Sequence, residues 1–201
     1  MSIMPFPDEI SLWKSFRSGS EIALEHLIRS YTTPLTYYGR KMVSNDDLIQ
    51  DCIQETFIEL WQYRAGLRDL TEIKPYLLTC LRRKIVKALK VENFVTLEEH
   101  NADHLFNLHF TIEDQLIENE TEADTVRILN SYINSLSKRR KEIIYLKYYE
   151  NLSNEEIAAV MGIKYQTATN LLHEALNSLR NLIPSQSTFP LLFIWTELFL
   201  K

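Results

Sequence analysis

NEEIAAVMGIKYQTATNLLH, residues 154–173, has the spacing of a helix-turn-helix. With Asn154 as the first position, apolar residues fall at Ile157, Met161, Ile163 and Leu171, and small ones at Ala158 and Ala168. Gly162 lands where the turn needs a permissive backbone. Small residues suit two helices that cross closely, and the glycine turn lets the second helix project toward a major groove. The pattern predicts helices over Asn154–Met161 and Tyr165–Leu182, whereas an ordinary helical hairpin would leave seven matched positions to chance. The outward side of the second helix carries Tyr165, Gln166, Thr167, Thr169, Asn170 and His173. Gln and Asn amides pair bidentately with adenine edges, and Thr meets a thymine methyl or a phosphate. Phosphate charge would come from Lys164 and from the KRRK run at Lys138–Lys141, which contains Arg139 and Arg140.

Moving outward, Glu113–Ser135 and Lys138–Tyr149 read as two further helical segments before this pair. The whole chain favours helices as well. Four glycines in 201 residues fall well below the usual share of about 7%. So few cannot supply the turns of a many-stranded barrel or sandwich. No GxGxxG, GxxxxGK[ST] or GxSxG occurs, which removes the common glycine-dependent nucleotide sites and the hydrolase nucleophile elbow. The expected fold class is all-α, in two small helical domains.

In the N-terminal half, Ile10, Leu12, Trp13, Phe16, Ile22, Leu24, Leu27, Ile28 and Tyr31 follow the three-and-four spacing of amphipathic helices. Ser18-Gly19-Ser20 separates two of these helices, with Ser20 as N-cap. From Asn45 to Trp61, the residues Leu48, Ile49, Cys52, Ile53, Phe57, Leu60 and Trp61 form one stripe, and Gln50, Asp51, Gln54 and Glu55 form an exposed polar face opposite. After a loop at Tyr63–Leu70, a helix runs from about Glu72 to Lys90, with Pro75 in its first turn. Cys52 and Cys80 sit inside helical patterns and read as reduced core residues.

A net charge of −5 argues against a polyanionic partner only if it is evenly spread. Ile73–Lys90 holds six basic residues and no acid, whereas Val91–Val126 holds ten acids and no Lys or Arg. A one-signed helix with an RRK cluster is a nucleic-acid candidate. The reading divides the chain into a domain at 8–90, an acidic linker at 91–111 with no fold of its own, a domain at 112–183 and a hydrophobic tail at 184–201.

Taken together, SLSKRRKEIIYLKYYENLSNEEIAAVMGIKYQTATNLLHEALNSLR resembles region 4 of bacterial sigma-70 family factors, in the subgroup called extracytoplasmic-function (ECF) sigma factors. DDLIQDCIQETFIELW resembles region 2.2, and YLLTCLRRKIVKALK resembles regions 2.3 and 2.4. The resemblance implies a promoter-specificity subunit with no catalytic activity or cofactor of its own. It implies that Asp51, Gln54 and Glu55 contact the beta-prime clamp of core RNA polymerase. Arg82, Arg83, Lys84, Lys87 and Tyr76 would bind the minus-10 element, and the helix-turn-helix residues above the minus-35 element. The beta flap, promoter DNA and an anti-sigma factor are the other implied partners. Two departures stand out. Arg83 and Lys87 replace an Asn and an Asp common in the family, while Thr169, Leu171 and Glu174 stand where basic residues are common.

The competing reading is an autonomous helix-turn-helix regulator, which leaves DCIQETF and the basic helix unexplained. His100, His104 and His109 lack the pattern of a metal site, so no metal is expected. MSIMPFPDEISLW does not read as a secretory signal, and Phe189–Leu200 is too short to span a bilayer, so a cytoplasmic protein without stable membrane insertion is expected. That tail reads as a short helix closing an apolar surface, a docking element for an inhibitor or a membrane-surface contact.

Overall fold

The computed structural model describes residues 6–92, 106 and 130–182. They fall in two compact units, the first holding 6–92 and the second holding Phe106 and most of 130–182. Among the described residues the elements are helices only, as expected: α1 (Glu9–Arg17), α2 (Glu21–Met42), α3 (Asp46–Tyr63), a 3-10 turn (Arg64–Gly66) and α4 (Ile73–Glu92) in the first unit, then α5 (Lys138–Tyr148), α6 (Asn154–Met161) and α7 (Tyr165–Leu182).

Each early helix starts on a side chain that satisfies its free amides. Asp8 caps α1 in a reciprocal box with Ser11, Ser20 caps α2 as predicted, and Asn45 caps α3 by accepting from the Leu48 amide at 3.1 Å. The first turn of α4 is served from far away, because Glu9 Oε2 accepts from the Ile73 amide at 2.8 Å while Glu9 Oε1 accepts from the Tyr31 hydroxyl at 2.6 Å. One carboxylate thus ties α1, α2 and α4 together.

The stripe of α2 runs Ala23, Leu27, Tyr31, Leu35, Tyr38, Met42. It packs with Leu12, Trp13 and Phe16 of α1, with Ile49, Ile53 and Phe57 of α3, and with Leu77, Leu78 and Leu81 of α4 in an apolar core. Ile10, Ile22 and Ile28 were expected in the apolar set but are exposed. Ile22 and Ile28 each lie one residue off the α2 stripe, about 100° around the helix.

In the second unit α5 buries Ile143, Ile144 and Leu146 and packs against α7, whose inner stripe is Ala168, Leu172, Ala175 and Leu179. The motif expected the apolar slot of α7 at Leu171, but Leu171 is half-buried and Leu172 is inside, because 168, 172, 175 and 179 keep the four-three-four repeat. Phe106, inside the expected linker, is 1% exposed and packs on the Tyr145 ring, centroids 5.7 Å apart. It therefore belongs to the second unit. The remainder of 93–129, the three linker histidines and the tail at 184–201 lie outside the described residues. No described helix is long and apolar enough to cross a membrane.

Candidate nucleic-acid interface

The turn between α6 and α7 has the geometry that its glycine implied. Gly162 sits at φ +67°, and the Ile163 amide donates back to the Ala158 carbonyl at 3.0 Å, closing α6 in a left-handed cap. Ser153 and Glu156 form a reciprocal box at the start of α6, with the Ser153 amide donating to Glu156 at 2.7 Å. With both ends of α6 fixed in this way, α7 has a defined direction.

Lys164, just before α7, and Tyr165, Gln166, Thr167, Asn170 and His173 on it are exposed. Thr169 is half-buried, its hydroxyl donating to the Tyr165 carbonyl at 3.1 Å. Gln166 donates its amide to Asn170 Oδ1 at 3.0 Å, so the two amides stand together one turn apart. His173 meets Asn177 at 3.2 Å in the next turn.

The basic run of α5 does not act as one patch. Arg140 donates to Glu174 of α7 at 3.0 Å and to Ser178 at 3.3 Å, so its guanidinium straps α5 to α7 instead of standing free for phosphate. Lys141 is buried, and that burial, with Lys138 adding, pushes its ammonium below the ordinary range. Lys138 and Arg139 are half-exposed. Four consecutive residues span all sides of a helix, which a charge run in sequence conceals.

In the first unit Asp51, Gln54 and Glu55 are exposed on α3, as expected. Gln50 is not part of that face: it is half-buried and donates to Thr36 Oγ1 of α2 at 3.2 Å. Ile58 stands exposed one turn beyond Glu55 and extends the face with an apolar group. On α4, Arg83 and Lys87 are exposed. Arg82 is 6% exposed and turns inward, because it shares the stripe of Leu78, Leu81 and Ile85. Lys84 lies over α3, with its Nζ 2.6 Å from Glu59 and 3.3 Å from Glu55. Burial alone would depress this ammonium, but the hydrogen bonds it donates to Glu59 and Glu55 outweigh burial and hold it above the ordinary range.

Tyr76 is half-buried, edge-on to Trp13 with centroids 5.8 Å apart, and burial raises its hydroxyl. Its ring is thus partly committed to packing against α1. The loop after α3 is anchored at several points. The Trp13 indole donates to the Arg68 carbonyl at 2.9 Å, Arg17 pairs with Asp69, and the Arg64 guanidinium lies 4.2 Å over the Trp61 ring. Tyr63 stands exposed at its start. The sequence reading passed over Glu59, although its position four residues after Glu55 places both carboxylates on one face.

Comparison with known proteins gives the same two regions. Residues 27–94 match the family model described as Sigma-70 region 2, and residues 127–179 the one described as Sigma-70, region 4. The RNA polymerase sigma-E factor of Streptomyces avermitilis is 23% identical over 172 residues, covering 84% of this chain and 89% of that protein. The RNA polymerase sigma factor CarQ of Myxococcus xanthus is 25% identical over 168 residues, covering 84% and 93%. In fold, the chain is similar to CnrH in complex with the cytosolic domain of CnrY, with a TM-score of 0.53 and 18% identity over 85% of this chain and 94% of that one. It is also similar to the sigma factor RpoE in complex with the anti-sigma factor NepR from Bartonella quintana, with a TM-score of 0.51 and 22% identity over 79% and 94%.

Proposed function

Since the chain belongs to the sigma-70 family, in its ECF branch, we propose that it binds core RNA polymerase, recognises promoter DNA and promotes strand opening. The observation that carries this reading is that both units present their family-matched polar residues outward from helices whose opposite faces are buried. Asp51, Gln54 and Glu55 stand out from α3, and Gln166, Thr167, Asn170 and His173 from α7. An exposed acid-and-amide face on α3 suits a basic clamp surface on the polymerase beta-prime subunit, and the second unit would meet the beta flap. Arg83, Lys84 and Lys87 of α4 would neutralise phosphates along the minus-10 strands. Tyr76 would lie beneath them as packing, with only its open edge toward a base. Arg82, being inside, would support this helix without touching DNA.

At the minus-35 element α7 would enter the major groove. There Gln166 and Asn170 would read base edges, Tyr165, Thr167, Thr169 and His173 would line the contact, and Lys164 and Arg139 would meet phosphate. Few cations on α7 imply a shallow salt dependence at this element. The subunit would perform no catalysis, since positioning and strand capture need no reacting side chain. Its site of action is the cytoplasm, where core enzyme and promoter are found, and an anti-sigma factor would hold it inactive.

The test combines purified core polymerase with the full chain on genomic DNA, followed by sequencing of the 5′ ends of the RNA made. Discrete start sites with a shared pair of upstream elements are expected. Stable DNA binding without any association with core enzyme would replace this reading with an autonomous regulator.

A further inference from the structure

Lys84 links the two surfaces of the first unit. Its side chain is 13% exposed, while the side chains of Glu55 and Glu59 that hold it are 66% and 60% exposed. A single cation is thus sheltered beneath two outward-facing carboxylates, and the cluster carries a net negative charge. The ammonium lies 2.6 Å from Glu59 and 3.3 Å from Glu55, so Glu55 is the looser partner. Glu55 also belongs to the α3 face with Asp51 and Gln54, and Lys84 lies on the basic helix α4.

We propose that the Glu55–Lys84–Glu59 cluster is an electrostatic gate: in the free chain it withholds Lys84 from nucleic-acid phosphates, and engagement of Glu55 by polymerase releases the lysine toward DNA. The inference rests on the proposed role of the α3 face. The chemistry of the three groups suits exchange. An ammonium on a four-carbon stem is a point charge with rotatable donors, whereas a guanidinium would lock onto both carboxylates in a planar fork. Carboxylates this exposed are well hydrated, so water compensates when either one changes partner. A lysine held by two acids also cannot displace counterions from a strand, because it brings no unneutralised charge to the phosphate. Arg83 and Lys87, exposed on either side, would provide the initial attraction, and Lys84 would add its contact only after the gate opens.

The test titrates the full chain, without polymerase, with a fluorescent single-stranded DNA of mixed sequence across a salt series. Glu55→Gln with Glu59→Gln should bind more tightly than the unaltered chain. Its plot of log affinity against log salt should be steeper by about 0.7, the contribution of one phosphate contact on a single strand. Adding Lys84→Gln should abolish the gain. Absence of any gain overturns the gate. A gain of equal size in the Lys84→Gln background overturns it too, since mere loss of negative charge would then account for the effect. Binding of core polymerase to the Asp51→Ala, Gln54→Ala chain against the unaltered one, with the cluster intact in both, reports on the α3 reading alone, so the two failures are distinct.

Discussion

In the first unit large rings fill the core: Trp13 stacks on Phe16 of the same helix with centroids 5.3 Å apart, Phe16 meets Trp61 of α3 at 5.9 Å, and Tyr38 of α2 is wholly buried. In the second unit the helix-turn-helix is built on Ala158, Ala168 and Ala175, all buried, with Ile157 and Met161 filling in. The first unit leans on large rings between its helices, whereas the crossing of α6 and α7 in the second leans on small side chains. The difference follows from their proposed work. A bundle that presents broad faces needs rigid filler between long helices, while a helix aimed into a groove needs its supports close and its direction fixed.

The comparison breaks most visibly at Trp13. Trp13→Ala removes a ring that is 1% exposed and deletes the indole donor to the Arg68 carbonyl. It should cost about 3–5 kcal/mol in urea unfolding followed by circular dichroism. A loss under about 1 kcal/mol would mean that the rings are not what holds this unit. The converse substitution is Ala168→Leu. It inserts three carbons at a site that is 1% exposed and should cost about 1–3 kcal/mol by overpacking. A neutral result would show room in the second unit that its small residues do not suggest.

Glycine gives a smaller and sharper contrast. At Gly162 an added Cβ would meet nothing within 4 Å, but φ is +67°, so Gly162→Ala should cost about 1 kcal/mol from backbone strain alone. Gly162→Asn should recover part of that loss, because Asn tolerates the left-handed region. Gly39 has the opposite problem, since a Cβ there would sit 2.7 Å from Ile49 Cγ2. An Asn at 39 should therefore be worse than Ala. Thermal melts of the four variants would sharpen the comparison, and rescue by Asn at both positions would dissolve it.

How much of this was readable beforehand depends on the range of the interaction. The bounds of α6 and α7 were legible because Gly162 and the apolar spacing are local signals. The exposed side of α3 was legible at Asp51, Gln54 and Glu55 by period alone, yet Gln50 slipped, because its place at the edge of that face brings it within reach of Thr36. Arg82 and Lys141 were misplaced for one shared reason: a run of charge counts residues, whereas a helix sorts them by angle. Glu9 capping Ile73 across 64 positions left no local trace, and neither did the pairing of Lys84 with Glu59. Phe106 carried no local mark that set it apart from Phe94 and Phe110 in the same acidic segment.

The finest test of the comparison concerns Arg140, because it asks whether the second unit also spends a cation on internal bracing. The Arg140 and Glu174 side chains are 35% and 57% exposed, so solvent screens the pair and Arg140→Ala should cost under about 1 kcal/mol of stability. Stability alone therefore discriminates poorly, and the salt dependence of duplex binding is the better measurement. If Arg140 only braces α7, its replacement leaves the slope of log affinity against log salt unchanged while affinity falls slightly at every salt concentration. Lys164→Ala, which removes an exposed cation beside the start of α7, should instead reduce the slope by about 0.9. Equal slope changes in the two variants would make Arg140 a phosphate ligand that exchanges Glu174 for DNA. The second unit would then be gated in the same manner as the Glu55–Lys84–Glu59 cluster of the first, and the contrast between the units would narrow to the size of their core side chains.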